Sequence, residues 1–211
     1  DGPQSGKDIR IQLSSRFPEL LDEAALKIRG ALEQNDKFTS ISDGKLEVKK
    51  EKISVQEILR DVTFYFSKKS QEKDINIVIT PELKDLNSYI IGDKSIVTHQ
   101  ILSNIISNSI KFSEHGSIID VAVSDQQGMI RFELTDHGVG IPKNKISDIF
   151  RDDISTSTIG TNGEEGTGFG MPLVLAFTTR LGGTVNLKSS FIEDSPDNHG
   201  TTFIIELPRA G

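Results

Sequence analysis

One run, IVTHQILSNIISNSIKF over residues 96–112, constrains this chain more than any other stretch. Its apolar residues recur at three- and four-residue spacing, which predicts a helix starting near Ser95. Residues four apart share a helix face, so Gln100, Asn104, Asn108 and Lys111 line up as one polar stripe. Ile101, Leu102, Ile105, Ile106, Ile110 and Phe112 crowd both sides of it. A helix flanked in this way is packed in protein, yet it turns amides and a lysine toward something polar. That geometry calls for a pocket rather than bulk water. Amide oxygens are hard ligands that suit Mg²⁺ while it keeps most of its waters. A lysine one turn further on offers a point charge to phosphate. The stripe reads as the floor of a nucleotide site.

Two glycine-rich clusters follow. In Asp136-His-Gly138-Val-Gly140 a carboxylate ends an expected strand and can accept from an exocyclic amine. Gly138 and Gly140 let the backbone approach a flat ring. The competing reading is an ordinary Asp-x-Gly turn, and His137 at that turn reads as a solvated histidine. Gly166-Thr167-Gly168-Phe169-Gly170 precedes an expected helix. Freed backbone amides and a helix N-terminus make an anion site there. No Gly-Lys-Ser/Thr follows, so it is not a Walker A loop. No strand precedes it, which weakens a Rossmann reading. Glycines also serve as hinges, and each cluster alone is a weak signal. Their order after the polar stripe raises the specificity.

The rest of the chain supplies a frame. Residues 13–41 carry Phe17, Leu20, Leu21, Ala24, Ile28, Ala31 and Leu32 at helical spacing, ending near Gly44. One apolar stripe on a long helix wants a partner helix. From residue 45 onward strands and helices alternate. Residues 46–53, 75–80 and 88–91 read as strands, and Ser54 with Glu57 opens a helix through Lys69. Residues 117–124 and 129–136 form a hairpin around Asp125-Gln-Gln-Gly128. A short helical piece covers 146–150, a helix covers 170–181, and strands at 184–189 and 201–207 close the chain. This order predicts a two-layer α/β sandwich with a mixed sheet, helices on one face and an N-terminal helix in front. The expected division is 1–44 as a tail with a helix, and 45–211 as the α/β domain. Residues 150–170 form a long loop rich in Ser, Thr, Gly and acids, which reads as a lid. With 31 acidic against 24 basic residues the net charge is −7, which argues against a general nucleic-acid binder. No cysteine is present, so disulfide and thiolate chemistry are excluded.

With these residues in view the chain resembles the catalytic, ATP-binding domain of a sensor histidine kinase, in the family shared with gyrase, Hsp90 and MutL ATPases. Residues 92–112, with Asn104, Asn108, Lys111 and Phe112 in register, resemble the N box. Asp136-x-Gly138-x-Gly140-Ile141-Pro142 resembles the G1 box, Ile149-Phe150 the F box, and Glu165 through Met171 the G2 box. The resemblance spans about residues 15–208 and implies a Bergerat-type fold. It implies that Asn108, with Asn104, holds Mg²⁺, that Lys111 meets phosphate, and that Asp136 recognises the adenine amine. Gly138 and Gly140 would border the base. Gly166, Thr167, Gly168 and Gly170 would shape the lid hinge and phosphate cradle. It further implies ATP as cosubstrate and transfer of its γ-phosphate to a histidine on a dimerisation domain, for relay to a response regulator. The full-length protein is expected to be a homodimer with this domain in the cytoplasm, whether or not a membrane anchor lies elsewhere in it. Where related ATPases carry a catalytic Glu, this chain has Asn104, and an amide cannot activate water as a base. Phosphoryl transfer to protein fits that better than hydrolysis.

Two departures from the family pattern stand out. The phosphoacceptor His followed by Glu or Asp is absent: the histidines are His99, His115, His137 and His199. Together with a first residue that is not Met, this reads as a piece of a longer protein. The lid over 152–168 contains no Lys or Arg, and only Arg151 at its edge offers a cation to the γ-phosphate. The rival readings are a kinase-like nucleotide-binding scaffold without phosphotransfer and a gyrase- or MutL-type ATPase.

Overall fold

The computed structural model describes residues 50–81, 86–151, 153, 156–164, 166 and 168–211. The expected N-terminal helix, its exit toward Leu46, and Thr167 lie outside these residues. The described chain belongs to one compact unit, Lys49–Gly211.

Ser54 ends strand β1 (Glu51–Ser54) and caps helix α1 (Val55–Glu72), its hydroxyl accepting from the Glu57 N–H at 3.4 Å. Val55, Ile58, Leu59, Val62 and Phe66 recur at helical spacing and are all buried, which fixes the inner face of α1. Strands β2 (Asn76–Thr80) and β3 (Tyr89–Gly92) follow. The polar-stripe run then starts as a π-helical segment, Ile96–Leu102, and continues as α2 (Ser103–Phe112). Hairpin β4 (Ile118–Gln126) and β5 (Met129–Asp136) comes next. A single turn of helix, α3 (Lys143–Ile146), leads into the lid region, and α4 (Gly170–Arg180), β6 (Thr184–Ser190) and β7 (Gly200–Pro208) end the chain.

The five-stranded sheet has the order β2-β4-β5-β7-β6, with β2 and β4 parallel and every other pair antiparallel. β1 and β3 form a separate antiparallel pair. Alternation along β5 buries Ile130, Phe132, Leu134 and Asp136 on one face. The register carries that face across the sheet. Val121, Leu134 and Phe203 lie in one row, and Ile119, Asp136 and Thr201 in the next. Ile101, Leu102, Ile105 and Ile106 from the stripe helix, and Val174 and Phe177 from α4, are buried with them. Asp136 is thus the polar last position of an otherwise apolar row.

Two elements differ from the sequence expectation. The stripe run is not a regular α-helix throughout. In its first half the Ser103 N–H bonds to Thr98 O, five residues back, and the Ser103 hydroxyl donates to the same carbonyl at 2.7 Å. The wider turn brings Thr98 and Ser103 into the buried face beside the isoleucines. The short helix lies at Lys143–Ile146 rather than over 146–150, where the chain makes turns. Pro142 at its N-cap, with φ of −56°, pre-sets the first turn that early.

Phe132 is fully buried in the central strand. Phe132→Ala should lower unfolding stability by about 3–5 kcal/mol, read from the urea midpoint. A loss under about 1 kcal/mol would mean that this row is not the centre of the core.

Candidate nucleotide site

Asp136 is 4% exposed, at the end of β5 and opposite α2. One carboxylate oxygen, Oδ1, accepts from the Gly138 and Thr201 backbone N–H groups, both at 3.1 Å. The other, Oδ2, accepts from the Ser109 hydroxyl at 3.0 Å. Burial pushes the carboxyl above its usual range, against the downward pull of the Gly138 N–H, the Ser109 hydroxyl and the Thr201 N–H. Ser109 lies on the helix of the amide stripe, one residue past Asn108, so the carboxylate and that helix are tied directly.

The loop after Asp136 is pressed against its neighbours. The Val139 N–H bonds to Phe112 O at 3.1 Å, and a Cβ on Gly138 would lie 2.4 Å from that same oxygen. Gly140 has φ of +70°, and a Cβ there would lie 1.9 Å from Ser190 O. Both positions therefore exclude any side chain, because the loop lies directly against the backbone of its neighbours. Support also comes from the chain around β6 and β7. Ser189 Oγ accepts from the Ile141 N–H at 2.8 Å, the Ile192 N–H bonds Val139 O at 2.9 Å, and His199 Nδ1 lies 2.5 Å from Gly138 O. Neither Ser189 nor His199 was legible in the sequence as part of the site, because their partners are backbone atoms some 50 to 60 residues away. His137 is exposed and 3.3 Å from Asp120, as expected for a solvated turn histidine.

Asn104 and Asn108 are half-buried on the same helix. The Asn104 Nδ2 donates to Gln100 O at 2.6 Å, which leaves its Oδ1 turned the other way. That oxygen would lie 3.0 Å from a Cβ on Gly170, the first residue of α4. Two neutral amide oxygens one turn apart fit a cation that takes its other ligands from water and phosphate. Among the described residues no cluster of three or more His, Cys, Asp or Glu could form a protein-only metal cage. On its other side Asn104 borders a groove of about 500 Å³, lined by Tyr65, Phe66, Lys69, Ser103 and Ser107.

Lys111 is 7% exposed, its ammonium 4.8 Å from the Phe112 ring centroid and donating to Thr158 O at 2.5 Å. A Cβ on Gly166 would lie 2.9 Å from that ammonium. The second glycine cluster therefore comes down onto Lys111, and Gly168 takes φ of +79° on the way to Gly170. The structure thus sets Gly170 against Asn104 near the start of α2, and near its end sets Gly166 against Lys111, Asp136 against Ser109 and Gly138 against Phe112. The edge cation Arg151 is bound up with carboxylates. It donates to Asp153 at 2.9 and 2.7 Å and to Asp148 at 3.2 Å, and these contacts hold its own proton more tightly while lowering the Asp153 carboxyl. Sequence reasoning missed Lys73 altogether. A lysine in the turn after an amphipathic helix reads as solvated, yet Lys73 is 6% exposed and pairs with Glu164 at 2.9 Å.

A family model described as "Histidine kinase-, DNA gyrase B-, and HSP90-like ATPase" matches residues 93–211. Among curated proteins, the autoinducer 2 sensor kinase/phosphatase LuxQ of Vibrio harveyi is 30% identical over 176 residues, which is 81% of this chain and 20% of that protein. Hybrid signal transduction histidine kinase B of Dictyostelium discoideum is 31% identical over 178 residues, 81% of this chain and 8% of that one. The chain spans a fifth or less of the length of these relatives. Among solved structures, the catalytic domain of histidine kinase ThkA superimposes with a TM-score of 0.63 at 20% identity, covering 77% of this chain and 99% of that one. Full-length ShkA in complex with AMPPNP gives a TM-score of 0.63 at 20% identity, over 95% of this chain and 40% of that one. These likenesses establish the Bergerat-type α/β sandwich.

Asp136→Asn can keep Oδ1 on the two backbone N–H groups and donate from Nδ2 to the Ser109 oxygen, so the fold should tolerate it. A carboxyl whose pKa is raised on folding stabilises below its unfolded pKa, and that stabilisation is lost as pH rises through the folded value. The variant should therefore match or exceed the parent in thermal midpoint at pH 8, and its relative advantage should fade as pH falls into the usual carboxylate range. A variant clearly less stable than the parent at pH 8 would show that the ionised carboxylate holds the loop.

Proposed function

We propose that this chain, a member of the histidine kinase-, DNA gyrase B- and HSP90-like ATPase family, is the ATP-binding catalytic domain of a two-component sensor histidine kinase. The observation that carries the reading is a buried carboxylate, Asp136, hydrogen-bonded to the helix that presents Asn104, Asn108 and Lys111. It supports a nucleotide seated along that helix, with the base at Asp136 and the phosphates at the amides and Lys111. Relatives named as sensor or hybrid histidine kinases, and a solved complex of ThkA with the response regulator TrrA, point to the same class of reaction and partner.

In this reading Asp136 Oδ2 accepts from the adenine amine, and Gly138 and Gly140 let the ring lie against the backbone. Asn108, with Asn104, holds Mg²⁺, whose charge offsets that of the phosphate oxygens. Lys111 exchanges the Thr158 carbonyl for phosphate, and Gly166, Thr167, Gly168 and Gly170 let the lid follow. The γ-phosphate passes to a histidine on a dimerisation domain and from there to a response-regulator aspartate. The protein contributes position and charge, and no residue of this chain bonds covalently to phosphorus. Residues 45–211 are the catalytic domain and residues 1–44 a tail with part of a dimerisation helix, which makes the whole protein a homodimer. No helix among the described residues is long and apolar enough to cross a membrane, and the domain works in the cytoplasm. The neutralised Arg151 favours one rival, a nucleotide-binding scaffold.

Three measurements check this. Asp136→Asn should weaken ATP binding by about 1.5–3 kcal/mol, the loss of a charged hydrogen bond. Unchanged affinity would remove its role as base reader. Asn108→Ala should reduce binding of ATP with Mg²⁺ more than binding without it, and equal losses would indicate packing. Mixed with γ-labelled ATP and a histidine-bearing dimerisation domain, the chain should produce an acid-labile, alkali-stable label on that domain. ATP binding without label would give the function to the scaffold.

A further inference from the structure

Lys73 follows α1, its backbone fixed by hydrogen bonds from its N–H to Ser70 O and from the Gly116 N–H to its carbonyl. Its buried ammonium meets four oxygens. Two are the Ile110 and Lys111 carbonyls, at 2.9 and 3.1 Å, at the C-terminal end of α2. Such carbonyls have no partner within the helix and mark its negative pole. The other two belong to the lid: Thr161 Oγ1 at 2.7 Å and Glu164 Oε1 at 2.9 Å. The lid residues involved form a closed turn of their own. Gly160 N–H bonds Glu164 O, Gly163 N–H bonds Gly160 O, and Asn162 N–H bonds Glu164 Oε2. Thr161 then donates its N–H to Lys111 O and its hydroxyl to Ser113 O. Burial pushes the Glu164 carboxyl up, but the hydrogen bonds from Lys73 and the Asn162 N–H outweigh it and hold the carboxyl below its usual range.

The middle of the lid, 160–164, is clipped to the end of the helix that carries Lys111, and the clip is a cation from a third element. We propose that Lys73 is a positioning residue: it pins the Gly160–Glu164 turn to the C-terminus of α2 and thereby sets Lys111 and the lid pivot for the phosphates of the nucleotide. The inference rests on the reading of the site as an ATP site, and Lys73 itself lies before residues 93–211, the span matched by the family model. Among the described residues, the Lys73 side chain hydrogen-bonds only the end of α2 and the lid. None of the groups that hold Asp136, the Ser109 hydroxyl and the Gly138 and Thr201 N–H groups, is bonded by Lys73, so its loss should be felt more at the phosphates than at the base. Glu164 in this arrangement is the counter-ion of a buried lysine, and the clipped turn needs no basic residue of its own.

The test uses this chain with Lys73→Met, Glu164→Gln and the double variant, titrated with ATP plus Mg²⁺ and separately with adenosine. Lys73→Met should weaken ATP binding about tenfold, the scale of one charged hydrogen bond. Glu164→Gln should weaken it less, and the double variant should be no worse than Lys73→Met, because the two residues act through one contact. Adenosine affinity should stay within about twofold throughout. The Thr161 amide should exchange hydrogen faster in each variant, with the Gly138 amide unchanged. Equal losses for ATP and adenosine, or full retention of ATP affinity, would overturn the positioning role. If Lys73→Met does not fold, Glu164→Gln carries the same comparison. A parent chain that binds neither ligand would defeat the functional reading itself, and the role of Lys73 with it.

Discussion

A carboxylate buried to 4% exposure persists only if its oxygens are satisfied. Asp136 meets that demand with donors from three places: the Ser109 hydroxyl on α2, the Gly138 N–H in the next loop, and the Thr201 N–H on β7. The rest of the site follows from this requirement. It fixes α2 over the end of the sheet and folds the glycine loop back onto Phe112 O. It also holds the start of β7 at the rim of the pocket. Because Ser109 follows Asn108 directly, the same contact sets where the amide stripe points.

Around the end of α2 and the lid a different kind of interaction operates. There the chain gathers charges: Lys111 under the lid, Lys73 at the helix C-terminus, Glu164 between them and Arg151 at the edge. Two of these cations serve the protein itself. Arg151 is exposed and taken up by Asp148 and Asp153, an arrangement of small net worth in water. Lys73 and Glu164 are more deeply placed, at 8% and 26% side-chain exposure, and removing one partner leaves the other poorly compensated.

Most of the fold was legible in local pattern. The Ser54 cap, the hairpin turn at Gln127-Gly128, the alternation in β5 and the end of α4 before Gly182 all follow from near-neighbour chemistry. The two misread elements share a cause. The π-helical turn at Ile96–Leu102 and the early start of α3 depend on how a segment seats against its surroundings, and periodicity alone carries no such information.

The sequence by itself determined the chemistry of the site: an amide pair four residues apart, a lysine three further on, a carboxylate ending a strand, and two glycine clusters. Spacing on one helix or within one loop is a local property, so those groups could be found without coordinates. Only the tertiary structure decided who stands behind them. Ser189, His199 and Lys73 reach the site across about 50 to 90 residues of chain, through a backbone N–H, a backbone oxygen and a carboxylate in turn. A serine, a histidine and a lysine with distant partners look like any surface residue in a sequence. Contacts made on folding turn them into parts of the site, and those contacts are set by packing that no short stretch of sequence contains.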